Sequence, residues 1–408
     1  MRRTSAIFAA ALVASAISVP APAARTADFG LGVFNDSVPG ISTNSAVFSP
    51  FSFELDCCIF AEACDPISRA ATAECLGVLT ELSLYYAPLY ARTSAPTNGL
   101  AFLSAYALCL PDIRLSFIEY RRRIQELCGA GVCLSWPPTG AESFLRSMMD
   151  GQMEEFEISH PPYATSHYRY YDLVSVRGAI ATNAMEKAAV KNLPFEMPDG
   201  TVREVPFLCG RANVDYCRGD VCQTVRLALD GGAWLYLIRP AGNIGFADLR
   251  YRLAPSAMRS AMASVVSLTE RDAGPAVCDI AFPVLDFASV TDLAKGFQKA
   301  LVPSQGFDFI HRSLTTRDAS QHAKVRISPP RPPKPLPQDD AAAAGRNRDD
   351  LFDDVESPDD DDSWRKNPTE WKVPRKEIQP FVFSSPFLFI VYNPETDVVS
   401  AIGQYMGP

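Results

Sequence analysis

Ser328-Pro329-Pro330-Arg331-Pro332-Pro333-Lys334-Pro335-Leu336-Pro337 places six prolines in ten residues, and Asp349-Asp350, Asp353-Asp354 and Asp359 to Asp362 follow. Such a composition buries too little apolar surface to offset the entropy of ordering, which predicts a solvated loop. A strand-like run over 311–327 leads into it, and two apolar strands close the chain after residue 380. A long exposed loop pinned at both ends by strands is the feature around which this sequence is arranged.

The rest reads as ordinary globular chain. At 47% hydrophobic and 21% charged, 408 residues supply ample core, although a single domain over 25–408 exceeds the usual size of one core. Much of the net charge of −9 sits in the loop, which argues against nucleic-acid binding. Residues 1–24 follow the layout of a secretory signal: Arg2-Arg3, an apolar stretch over 7–19, then Ala21-Pro22-Ala23 as a small-residue cleavage point. The competing reading is a buried N-terminal helix. No later run is long and apolar enough to span a bilayer, so the sequence predicts a secreted, extracellular protein.

Export gives meaning to eleven cysteines. Cys128 with Cys133 and Cys217 with Cys222 are local disulfide candidates, although spacing does not fix connectivity. An odd number leaves one thiol over, which fits a monomer or a covalent dimer. No C-x-x-C occurs and there are four His, so neither zinc nor any other cofactor is expected. Asn35-Asp36-Ser37 is the one N-glycosylation sequon. No G-x-S-x-G, P-loop or H-E-x-x-H pattern points to an enzyme.

In order, Ser49 is placed to cap a helix that opens with Pro50 and runs through an apolar, Cys-rich segment. Helical periodicity recurs over 71–86, 112–127 and 141–149, with breaks at Pro88, Pro96 and Pro137-Pro138. Strand patterns follow over 172–184, 201–208, 221–229, 233–238 and 277–287, with helices over 255–268 and 289–301. This order indicates an α+β fold.

The closing run Phe381-Val382-Phe383-Ser384-Ser385-Pro386-Phe387-Leu388-Phe389-Ile390 resembles the C-terminal signature of the serpins, with Ser384 where that family usually has Asn or Asp. The final segment 401–408 is similar to their last strand, and Phe48-Ser49-Pro50-Phe51-Ser52 to the start of their second helix. Thr182-Asn183-Ala184-Met185 resembles the Asn-Ala pair of their central sheet. Segments 200–207 and 282–287 resemble two further strands. The resemblance implies three β-sheets, about eight to nine helices and an exposed reactive-centre loop. It also implies a structural shutter of Ser49, Ser52, Asn183 and His311 where the central sheet parts. Two departures touch it: Ser45 stands where Asn is expected, with Asn44 one position off, and Lys191 replaces an aromatic that is usually Trp.

Serpins trap a serine protease by inserting the cleaved loop as a new strand in the middle of the sheet. Counting from His311, the hinge begins at Ala319 and turns His322, Lys324 and Arg326 into the core, where unpaired cations are prohibitive. A slip of one residue turns Ala323, Val325 and Ile327 inward instead. The prolines cannot donate to a ladder in either register, and an overlong loop leaves slack between the strand and a distal cleavage point. Asp340-Ala341-Ala342-Ala343-Ala344-Gly345 resembles an inhibitory hinge but follows the prolines rather than a strand. The sequence thus predicts a non-inhibitory member whose loop, 319–380, is a tether or partner-binding segment. The alternative is an inhibitor of an extracellular serine protease, cleaved near Arg326 or Arg331.

Cys217-Arg218-Gly219-Asp220-Val221-Cys222 suggests a second partner. Held in a tight turn by a disulfide, Arg218, Gly219 and Asp220 would suit an integrin. The plainer reading is a hairpin turn with a solvated arginine. Arg121-Arg122-Arg123 reads as a solvated helix face, with glycosaminoglycan binding as the lesser reading.

Overall fold

The computed structural model describes residues 22–38, 43–78, 80–95, 99–110, 118–135, 138–153, 156, 167–253, 255–265, 273–300, 315–330 and 376–408. The sequence order dictates a helix buried between layers. Ser49, extended at φ −103°, accepts the Ser52 amide on its hydroxyl and caps α2 (Pro50–Ala61), whose first residue is the proline. All of α2 is buried, so its apolar side chains meet protein on every face. Phe51 meets Tyr86 and Phe102, Phe53 meets Phe297, and Phe60 packs edge-on to Tyr170. A helix not expected from the sequence, α1 (Pro22–Ser37), packs on α2, with Phe29 stacked on Phe53.

Further helices and strands follow: β1 (Ala46–Phe48), α3 (Pro66–Cys75), α4 (Leu82–Ser94), β2 (Ala101–Cys109), α5 (Ile118–Cys128), β3 (Val132–Ser135) and α6 (Pro138–Met148). Pro88 lies inside α4 rather than ending it, since Leu82, Tyr86 and Leu89 hold both halves on the core. The chain continues with β4 (His167–Ala179), β5 (Met185–Glu196), β6 (Val202–Arg218), β7 (Cys222–Ala228), β8 (Trp234–Pro240), α7 (Phe246–Arg252) and α8 (Pro255–Ser264). It then forms β9 (Ala273–Pro283), β10 (Asp286–Asp292), α9 (Ala294–Ala300), β11 (Thr315–Ser328), β12 (Lys376–Glu377), β13 (Phe381–Val382), β14 (Phe387–Asn393) and β15 (Val398–Tyr405). The helix expected over 289–301 gives its first turn to β10, which pairs with β11 along its whole length.

The described strands make two hydrogen-bonded sheets. One has five strands in the order β10-β11-β4-β2-β3, with β4 and β11 parallel. The other has ten strands and follows β1-β15-β14-β8-β7-β6-β9-β12, with β5 on β6 and β13 on β9. The sequence led to three sheets. Two of them are continuous here because β6, 17 residues long, carries β5 at one end and β7 at the other. Helix α6 and the residues after it cover the outer face of the five-stranded sheet, through Leu145, Met149, Met153 and Phe156 against Ala107, Tyr171 and Leu173.

The disulfide expectations do not match this arrangement. Cys128 and Cys133 are free thiols: Cys128 is buried at the end of α5, and Cys133 stands on β3 across from Ala107. The hairpin register puts Cys217 opposite Thr224, and Cys222 faces Pro240 on the next strand, so neither cysteine is the other's cross-strand neighbour.

The ten-stranded sheet sets a demand at Gly403, in the middle of β15. A Cβ there would come within 2.2 Å of the Phe389 ring and 2.6 Å of the Ala46 carbonyl oxygen. Phe389 is fully buried and cannot swing away. Gly403→Ala is expected to destabilise the protein by about 3 kcal/mol, at the upper end of overpacking costs. A denaturant midpoint equal to wild type would show that β15 is looser than described.

Candidate functional site: the seam of the five-stranded sheet and the roots of the loop

β4 and β11 lie parallel in the centre of the five-stranded sheet, and every one of their paired positions from Thr315–His167 to Ser328–Ala179 is in register apart from one bulge near Thr316. Alternation along β11 turns Ala319, Gln321, Ala323, Val325 and Ile327 into the core, each at most 4% exposed. This is the inward set that the one-residue slip gave. Ala319, His322, Lys324 and Arg326 are therefore strand residues already paired in the sheet, not a hinge. The last three face outward because the apolar residues occupy the inner phase.

One polar residue interrupts that inner phase. Gln321 donates from Nε2 to Asp172 Oδ2 of β4 (2.7 Å) and to the Ser49 carbonyl (3.1 Å), and its Oε1 accepts the Ser49 amide (2.6 Å). The Ser52 hydroxyl donates to Asp172 Oδ1 (2.8 Å) and lies 3.0 Å from the Tyr106 hydroxyl. The capped end of α2 thus closes the network from below, joining both strands at their seam. Of the four expected shutter residues, Ser49 and Ser52 are in it. Asn183 is exposed in the turn between β4 and β5, where its carbonyl accepts from Asn213 Nδ2. His311 and Arg331 lie outside the described residues. Gln321 and Asp172 take the central positions, and the only signal for them was a lone polar side chain in an otherwise apolar alternation.

The network is acidic. Asp56 of α2, fully buried, accepts the Tyr170 hydroxyl on Oδ1 (2.7 Å) and bonds to Asp172. Its Oδ2 meets no N–H or hydroxyl donor. Burial first, and the Asp172 charge second, raise Asp56 well above the usual carboxylate range. Burial pushes Asp172 up to about 7 against the bonds from Gln321 and Ser52, and Glu54 on the same helix to about 8 against the Tyr86 hydroxyl. The other titratable groups acting on Asp56, Asp172 and Glu54 or raised by them are the phenols Tyr85, Tyr86, Tyr90, Tyr106 and Tyr170 and the thiols Cys57, Cys58 and Cys128, and burial raises these too.

At the other end of the molecule, the turn 218–221 joins β6 and β7. The Arg218 guanidinium lies 4.8 Å from the Phe381 ring centre and donates to the Gln379 carbonyl (3.0 Å), while Asp220 is exposed. The arginine of the Arg-Gly-Asp run is thus held against the loop's far root, two residues before the exposed Asp220. Arg122 pairs with Glu119 and Glu126, and Arg123 with Glu62 and Glu119, so this basic run is an ion-paired helix face. Asn35 sits on α1, half-buried, and its Nδ2, the atom a glycan would join, donates to the Leu253 carbonyl at 3.4 Å.

No family model matches this chain, and no curated protein does. Solved structures do. Native protease nexin-1 with heparin superposes with a TM-score of 0.71 at 14% identity, over 95% of this chain and 99% of that one. The fold is that of the serpins. Uncleaved ovalbumin matches at a TM-score of 0.69 and 12% identity, over 95% and 100% of the two chains. A Manduca sexta serine protease inhibitor, serpin-12, matches at 0.69 and 13%, over 94% and 98%. At these identities the likeness carries the serpin fold alone, and the five-stranded sheet with its zipped β4–β11 seam has no strand inserted between them.

The buried acids make a measurable demand. Their folded-state pKa values lie above those of an unfolded chain, so the folded protein holds extra protons between about pH 4 and pH 8. This contribution is fully present at the acid end of that window and is lost as pH rises through 7 to 8. The melting midpoint is expected to fall by a few degrees between pH 5.5 and pH 8.5, and Asp172→Asn should flatten that slope. Equal slopes for both proteins would rule out Asp172 as a contributor.

Proposed function

We propose that this serpin-fold protein does not trap proteases and that its loop, from Pro329 to Pro380, serves as an exposed tether or partner-binding segment. One observation carries the reading: β11 remains paired with β4 through Ser328, and the next residues are Pro329 and Pro330. A strand inserted at this seam would begin there and would run on through Pro332, Pro333, Pro335 and Pro337. Those positions fall on both parities of a strand, so the new strand would lack donors toward each neighbour. Insertion would also have to break the Gln321–Asp172 bond and leave a buried acid short of a partner.

The strand end at Ser328 also weighs against Arg326, one of the two early cleavage points considered. Arg326 is paired to Arg177 on one side and Asp286 on the other, so its peptide bond is not presented to a protease. A protease meeting this protein would find a substrate in the loop rather than a trap. An extracellular setting rests on the secretory pattern of residues 1–24, of which 1–21 lie outside the described residues.

The test is a tryptic nick of the loop, followed by denaturing gel and calorimetry. The expected result is released protease, no SDS-stable complex, and a melting midpoint within a few degrees of the intact protein. Insertion of a sheet strand would instead raise the midpoint by tens of degrees, given that about 1 kcal/mol moves a domain of this size by a few degrees. Such a rise, or a covalent complex, would overturn the proposal.

A further inference from the structure

The outer face of the five-stranded sheet carries a groove of about 560 Å³ that the seam below does not use. Its floor is a grid set by strand register. Arg177, Arg326 and Asp286 form one row across β4, β11 and β10; Ser175, Lys324 and Ala288 form the next, and His322 with Val290 the third. The segment after α6 makes the wall, through Gln152, Met153, Phe156 and the exposed Asp150, which forms no ion pair with the cations of the floor. Like charges directly opposite one another weaken a sheet, yet Arg177 stands beside Arg326 with Lys324 one row away. Asp286 answers only Arg326 (3.4 Å), and among the described residues neither Arg177 nor Lys324 has an acidic partner. His322 adds no charge, because burial against Phe156 lowers it to about 4. Val290, 64% exposed, leaves an apolar edge beside the cations.

A groove with two unanswered cations and an apolar rim selects a ligand that is acidic with apolar side chains interspersed. The sequence contains one. Residues 349–362 read Asp-Asp-Leu-Phe-Asp-Asp-Val-Glu-Ser-Pro-Asp-Asp-Asp-Asp: nine acids, no base, and Leu351, Phe352 and Val355 between them. It begins 19 residues after Pro330, itself four residues beyond Arg326. A chain of that length reaches well over the width of the sheet, and its tether holds it near the groove at roughly millimolar effective concentration. We propose that this groove is a docking site for an acidic peptide, and that its occupant is the chain's own 349–362 segment. The site stands on the strand register and charge, and it does not depend on whether the loop can enter the sheet.

The test uses the full mature chain and a fluorescent synthetic peptide of residues 349–362, followed by anisotropy at low salt. A variant with the eight aspartates of that segment changed to Asn should bind the peptide at micromolar concentrations, at least tenfold more tightly than wild type does, because the tethered copy no longer competes. Raising the salt to 0.3 M should weaken this binding severalfold. Adding Arg177→Gln and Lys324→Gln should abolish it, while circular dichroism and melting stay as in the parent, both side chains being on the outer face. Equal peptide binding by wild type and the Asn variant would overturn cis occupancy. No binding to the Asn variant would overturn the site itself.

Discussion

The Gln321 amide uses both of its ends inside the protein, and the architecture around it follows from that. Its oxygen takes the Ser49 N–H and its nitrogen reaches Asp172, so one side chain joins the first turn of α2 to the two central strands of a sheet. A buried amide or acid with a missing partner costs roughly 1–3 kcal/mol. The three elements must therefore meet in one register or leave several such groups stranded. The apolar alternation of Ala319, Ala323, Val325 and Ile327 sets which face of β11 turns in, and Gln321 with Asp172 sets how far the strand slides along β4.

The ends of the chain were readable because they carry local chemistry. A serine followed by proline before an apolar run can only begin a helix sensibly, and the closing Phe-rich runs with Pro386 between them can only be buried strands; β14 and β15 are buried almost throughout. The seam was not readable in the same way. His311 and Asn183 came from the family resemblance, and the residues that fill the seam, Gln321 and Asp172, lie some ten positions away along the chain. Their roles come from a parallel pairing between segments separated by most of the second half of the chain, and no local pattern encodes such a pairing. What the sequence did offer was parity, since only one of the two registers considered for β11 buries no cation. Helix α1 begins at Pro22, inside the signal-like stretch over 1–24, so its first residues share that stretch's pattern.

The two sides of β11 have different uses. The inner side is closed and satisfied, and ends in prolines that cannot extend it. The outer side presents Lys324 and Arg326 to solvent beside Arg177, on the same short length of strand from which the loop departs. A satisfied inner face and a basic outer face thus share one short length of strand, so position and charge come from a single element.

The pairing of β1 with β15 has a further consequence. Ser45 and Met406–Gly407 are hydrogen-bonded across 362 residues, and Ala46 to Phe48 find their sheet partners only in the last strand made. Closing such a contact early is entropically unfavourable, and folds dominated by distant pairings form slowly. β1 therefore stays unpaired until β15 is in place, and any event that frees β15 from the sheet strips β1 of its only strand partner among the described residues.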